Sequence, residues 1–156
     1  MPKIDPETVT ARHSTSYPAP YAEMMRGRHY LPFGDAGGLT QFGASITVLD
    51  PGGMSSLRHW HSREDEFMMV TLGEVVLVED SGETVLHPGD CAAFPAGVEN
   101  GHHVLNRTDQ EARFLVIGSR DANEVCTYSD HDLKVVEKNG VGVFTRKDGS
   151  PLPPEA

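Results

Sequence analysis

The chain is poor in cysteine, tryptophan and positive charge. Its 156 residues include two cysteines, one tryptophan and 13 Lys plus Arg against 23 Asp plus Glu, for a formal net charge of −10. Cys91 and Cys126 can form one bridge at most, which excludes a disulfide framework. Both read as reduced packing residues, and Cys91 in particular as a small buried apolar one. There is no basic block to neutralise phosphates, so nucleic acid is not an expected partner. No apolar run approaches the ~20 residues of a membrane-spanning helix, so no membrane partner is expected either. The first residues are polar and acidic where a secretory signal would carry an apolar stretch of ~7–15 residues, and a cytoplasmic protein is expected.

What the chain has is enough length for one core, and frequent punctuation. At ~150 residues per domain it makes one domain, and 11 prolines and 16 glycines divide it into short elements. Residues 1–38 are rich in Pro, Gly, Ser and Arg without a sustained period, and read as an arm with one short helical turn near 22–28. From Thr40 the pattern becomes β-type. Phe42, Ala44, Ile46 and Val48 recur every second residue and end at the turn Asp50-Pro51-Gly52-Gly53. Further strands are expected at 66–72, 74–79, 84–87, 91–94 and 112–117, with corners at Gly73, Pro88-Gly89-Asp90 and Pro95-Ala96-Gly97. After Arg120 the chain turns polar. Runs at 133–136 and 141–145 then flank Asn139-Gly140, a strong hairpin signal. The expectation is an all-β sandwich or barrel in one domain: arm 1–38, barrel core 39–120 and C-terminal extension 121–156.

Four of the eight histidines fall in two clusters, His59/His61 and His102/His103. On a strand, His-x-His puts both imidazoles on one face and Trp60 on the other. Glu66, just beyond a short turn, can add a carboxylate. Two imidazoles and an oxygen suit a divalent transition metal ion: Fe, Mn, Ni or Zn. Glu64 and Asp65 read as turn residues, and Glu99 as a hydrated loop glutamate. His102 and His103 alternate across a strand, so at most one points inward, and Asn106 shares parity with His102. His13, His29, His87 and His131 read as surface residues, and Met68-Met69 as core filling.

The spacing adds a resemblance. Gly53, five residues, His59-Trp60-His61, four residues, Glu66, six residues and Gly73 resemble the first motif of the cupin superfamily at every fixed position. Gly89, Pro95 and Gly97 fit the second motif, whose next position holds Asn100 in place of histidine. His102, three residues and Asn106 restore its end if the loop after Gly97 is two residues longer. The fourth position therefore stays open between His102 and Asn100, whose amide oxygen is the weaker metal partner. The resemblance covers about residues 42–118 and extends to small single-domain bacterial cupins of unassigned function.

It implies a double-stranded β-helix, or jelly-roll barrel, with an N-terminal arm and a C-terminal hairpin. The implied metal ligands are His59, His61, Glu66 and His102. The implied activity is metal-dependent small-molecule chemistry of dioxygenase or lyase type on a small oxygen-rich substrate. The alternatives are a non-catalytic small-molecule or sugar-binding cupin and, second, a sugar isomerase. The arm and the outward Trp60 are consistent with a homodimer, as the resemblance also implies.

Overall fold

A computed structural model of the chain describes residues 3–138 and 141–153. A 3-10 turn (Pro6–Thr8) is followed by α1 (Tyr21–Met24), β1 (Arg28–Leu31) and α2 (Phe33–Ala36). The barrel strands are β2 (Phe42–Leu49), β3 (His59–His61), β4 (Glu66–Leu72), β5 (Val75–Glu79), β6 (Gly82–Leu86), β7 (Cys91–Phe94), β8 (His103–Leu105) and β9 (Ala112–Ser119). β10 (Val125–Tyr128), β11 (Leu133–Lys138) and β12 (Val141–Thr145) complete the chain. Among the described residues no helix is long and apolar enough to cross a membrane.

The strands pair antiparallel in three sheets, ordered β1-β2-β9-β4-β7, β12-β11-β10-β3 and β6-β5-β8. An isolated antiparallel bridge, His59 to His102, joins the two smaller sheets into one wall. Its two amide bonds measure 3.1 and 2.9 Å. The result is the expected all-β jelly roll, with two walls facing one another.

Alternation decides what each wall buries. On the five-stranded sheet Leu49, Met68, Val70, Ala112 and Phe114 point inward and meet Val75, Leu77, Leu86 and Val104 of the opposite wall in one apolar core. A second core is more aromatic. Tyr128, Cys126 and Leu133 pack with Met25 and Leu57, and Tyr17, Tyr21 and Phe144 lie against them. The N-terminal segment and the terminal hairpin are thus fastened to the same end of the barrel. The β2 to β9 pairing runs unbroken over eight residue pairs.

Three local readings need correcting. The arm contains β1, which pairs with Ile46–Leu49 of β2 as an edge strand; only four residues long and rich in Arg, His and Tyr, it carries no clean alternation. The polar stretch after Arg120 contains β10, whose Val-Cys-Thr-Tyr sequence buries Cys126 and Tyr128 and leaves Val125 and Thr127 half-buried. Cys91 is exposed, because odd positions of β7 face outward; Cys126 is the buried cysteine, and both are free. The Asn139-Gly140 turn lies outside the described residues, although β11 and β12 pair up to Lys138 and Val141 on either side of it.

Two motif positions have backbone or polar causes. Gly73 sits at φ +74, and a Cβ there would come within 2.7 Å of the Glu111 carbonyl oxygen, so the β4 to β5 corner needs glycine. Asn106 is 1% exposed. Its Nδ2 donates to the Leu49 and Gln110 carbonyls at 2.9 and 2.7 Å, and its Oδ1 accepts from Thr108 N and Oγ1 at 3.0 and 2.8 Å. Removing the amide orphans buried groups on both sides of the β8 to β9 loop. Asn106→Ala is expected to lower the unfolding free energy by about 2–4 kcal/mol, read from urea denaturation of the chelator-treated protein. A loss within the ordinary surface range of about 0.5 kcal/mol would reject this role.

Candidate metal centre

β3, β4 and the approach to β8 bring four side chains together inside the barrel. His59 and His61 share a face of β3, and their ring centroids lie 4.9 Å apart. The bridge to β3 sets the His102 ring 4.8 Å from that of His59. Glu66 opens β4 and faces two of the rings: Oε2 lies 3.7 Å from His61 Nε2, and Oε1 lies 3.6 Å from His102 Nε2. These contacts exceed hydrogen-bond length. Donor atoms of His59, Glu66 and His102 all fall within 4.8 Å of one another.

Each ring is held from behind. His59 Nδ1 lies 2.9 Å from the Leu57 carbonyl oxygen, which only accepts, so Nδ1 carries the proton and Nε2 is bare. The His102 ring stacks on Phe94 at 3.5 Å with an interplanar angle of 4°. His103 points the other way, with its Nδ1 3.1 Å from Ser56 O. Asn100 is committed elsewhere: its Oδ1 accepts from Asp80 N, and its Nδ2 donates to Glu79. Of the two candidates for the fourth position, it is His102 that faces Glu66.

Electrostatics matches the geometry. Burial, reinforced by His61 and His102, outweighs the Glu66 charge and pushes the His59 imidazolium down to about 3. Burial alone would raise the Glu66 carboxyl, but the His102 ring beside it and the neighbouring imidazoles outweigh that effect and hold it below the usual range. His102 Nδ1, His102 Nε2 and His61 Nδ1 are buried without a hydrogen-bond partner. Unpaired buried nitrogens are costly, and a cation held by His102 Nε2 and the Glu66 carboxylate would remove that cost for this nitrogen. The donor set therefore fits a divalent transition metal.

The site has two features that the sequence did not mark. Glu124, 2% exposed, lies behind His61 with Oε1 3.4 Å from Nδ1. Glu64, read as a turn residue, has Oε2 3.8 Å from the same nitrogen while its Oε1 accepts from Asp121 N. Glu124 is 62 residues from Ser62, and only the pairing of Cys126 with His61 would have located it. Next to Glu64 an open cavity of about 670 Å³ lies over the inward Gly43, Ser45 and Gly118, with Arg120 and Glu137 at its walls; none of the four donors lines it, and the pocket that His61 and His102 do line, with Trp60 and Phe94, holds about 40 Å³. The larger volume is in the range of small-molecule pockets.

A Silicibacter pomeroyi crystal structure, described as a sugar phosphate isomerase from a cupin superfamily, is 52% identical, covers 98% of each chain and superposes with a TM-score of 0.95. The chain belongs to the cupin superfamily. The Cupin domain family matches residues 45–118 of this cupin. A candidate sugar phosphate isomerase of Acidithiobacillus ferrooxidans is 26% identical, with 82% of this chain and 81% of that one covered at a TM-score of 0.74. A polyketide cyclase of Streptomyces resistomycificus, 22% identical over 78% and 80% of the two chains at a TM-score of 0.64, shares the fold. No curated protein matches the chain.

The depressed His59 value sets a pH window. Below about 6.5 the unfolded chain takes up a proton that the folded ring refuses until about 3, so stability present at neutral pH is lost as the pH falls through that interval. Glu66, also held low, loses its contribution in the acid part of the same range. In the metal-free cupin the melting temperature is expected to fall across this interval, and His59→Gln is expected to flatten the fall. Calorimetric scans in chelator check it; an equal slope in both proteins would refute the buried neutral ring.

Proposed function

We propose that this cupin is a metal-dependent enzyme acting on a small oxygen-rich molecule, with dioxygenase or lyase chemistry. In this reading His59, His61, Glu66 and His102 hold one divalent ion: Fe, Mn, Ni or Zn. The supporting observation is that His61 and His102 both face Glu66, with a donor of His59 within 4.8 Å of those of Glu66 and His102, and that His102 Nε2 is buried and partnerless. When bound, such an ion polarises oxygen donors of a substrate.

The chain's own groups prepare the site. The Leu57 carbonyl fixes the tautomer of His59, Phe94 fixes the plane of His102, and strand backbones fix the spacing of all the donors. The two apolar cores flank the donors, Phe94 stacking on His102 and Tyr128 lying 6.0 Å from the His59 ring. The cavity beside Glu64 is the volume this reading gives to the substrate, with Glu64 Oε2, 3.8 Å from His61 Nδ1, as its link to the donors.

Sugar isomerisation is the second reading, favoured by the description of the 52% identical Silicibacter protein. A phosphate group asks for a free cation near the metal. Of three arginines close to the motifs two are engaged, Arg58 by Asp80 and Asp130 and Arg107 by both oxygens of Glu83, while Arg63 is exposed and in no ion pair among the described residues. At the larger cavity Arg120 is bound to Asp35 and to the Leu39 carbonyl. A non-catalytic binding cupin would use the same pocket without turnover.

Protein purified without chelator is expected to carry about one equivalent of divalent metal by elemental analysis. His59→Ala with His61→Ala should abolish it while leaving the β-sheet circular dichroism intact. Full metal content in the double variant sinks this centre. On the loaded protein, oxygen uptake or bond cleavage across a panel of small carboxylates and carbonyl compounds is expected. Turnover of sugar phosphates alone would shift the assignment to the isomerase, and melting shifts without turnover would shift it to a binding module.

A further inference from the structure

We propose that Glu124 is the positioning residue for His61, accepting a hydrogen bond from Nδ1–H and so holding Nε2 bare toward Glu66. This deepens the metal-centre reading and rests on it. Glu124 is among the most buried charged groups described, at 2% exposure, and no Lys or Arg pairs with it among the described residues. Its Oε1 accepts from Ser62 N at 2.7 Å and its Oε2 from Arg63 N at 2.8 Å. Ser62 Oγ in turn accepts from Val125 N at 3.0 Å. The carboxylate is therefore pinned by the two residues that follow His61 in sequence, and it moves with β3.

Facing it is His61 Nδ1, a buried ring nitrogen with no hydrogen-bond partner as placed, 3.4 Å from Oε1 and therefore within reach of one. A bare Nδ1 would set two lone pairs against one another in a dry environment, whereas a protonated Nδ1 satisfies both groups. The proton on Nδ1 leaves Nε2, 3.7 Å from Glu66, as the free donor. His59 has the same arrangement with a neutral acceptor, the Leu57 carbonyl. The two rings of the His-x-His pair thus differ behind the site, one backed by a dipole and one by a charge, and a carboxylate makes its imidazole the more basic ligand. Glu64 also faces Nδ1, but at 3.8 Å and with a more exposed side chain, 21% against 3% for Glu124.

Nitrogen-15 NMR of the metal-free, full-length protein at about pH 8.5, two units above the ordinary imidazole value, tests the assignment directly. A proton on His61 Nδ1 is expected; a bare Nδ1 overturns the proposal. Glu124→Gln is expected to reduce the Nδ1–H population and to weaken Co(II) binding by about 10- to 100-fold, whereas Glu64→Gln keeps the proton in place. A purely structural role would lower the melting temperature of Glu124→Gln without moving the tautomer, and that result also overturns the proposal. Should Glu124→Gln fail to fold, the wild-type and Glu64→Gln spectra still decide: loss of the proton in Glu64→Gln assigns the role to Glu64. Failure of the wild type to bind Co(II) removes the metal centre but leaves the tautomer result standing, so the two failures are distinguishable.

Discussion

The pair of backbone hydrogen bonds between His59 and His102 is the constraint from which the rest follows. Each residue donates its amide to the other's carbonyl, the pattern of a closely spaced antiparallel pair. In such a pair the side chains emerge on the same face, so the bond that closes the second wall of the barrel also seats the two rings side by side. The residue spacing on β3 then places His61 two positions on, and the β4 to β9 register, Glu66 opposite Gly118, leaves open space beside the carboxylate. Site and fold are one arrangement of hydrogen bonds, and a slip of one residue would turn every donor outward.

Burial sets the protonation states that such a site needs. Imidazole binds a cation only when neutral, and a carboxylate binds best when ionised. In this barrel burial drives His59 toward the neutral form, while the surrounding rings hold Glu66 in the ionised form. The apolar walls thus do more than exclude solvent: they tune opposite charge states within a few ångströms. Phe94, lying flat on His102, shows how far the packing goes, since the ring that contributes to the apolar core also sets the plane of a donor.

Much of this was legible in local pattern, and the rest was not, for a physical reason. Alternation along a strand is a short-range rule, so it placed His59 with His61, and His102 with Asn106, correctly on common faces. Asn106 proved to be a brace of the β8 to β9 loop, a backbone role that its place in the motif does not reveal. The choice between His102 and Asn100 depended on loop length, which no periodicity carries. The structure resolves the geometry by tying Asn100 to Asp80 and Glu79. Glu124, β1 and β10 were invisible because their partners lie far along the chain: Ser62 for the first, β2 and β3 for the others. Short edge segments of mixed polarity acquire strand character only from the strand they pair with.

Relatives with differing descriptions share this barrel, so the fold does not choose the reaction; the polar inventory around the cavity does. Phosphate recognition rests on cations that are free to fork onto its oxygens. Here Arg58 and Arg107 each spend their guanidinium on protein carboxylates, and Arg120 on Asp35 and a carbonyl, while Glu64 and Glu137 face the large cavity. The chain charge of −10 and these two glutamates work against a dianionic group at the cavity, with the exposed Arg63 the cation left to offset them. A substrate presenting hydroxyl or carbonyl oxygens without a phosphate avoids that repulsion, and it supplies the kind of donor that a hard or borderline divalent ion accepts. Charge around the cavity and donor chemistry at the centre are thus the two terms on which the proposed oxygen-rich substrate class rests.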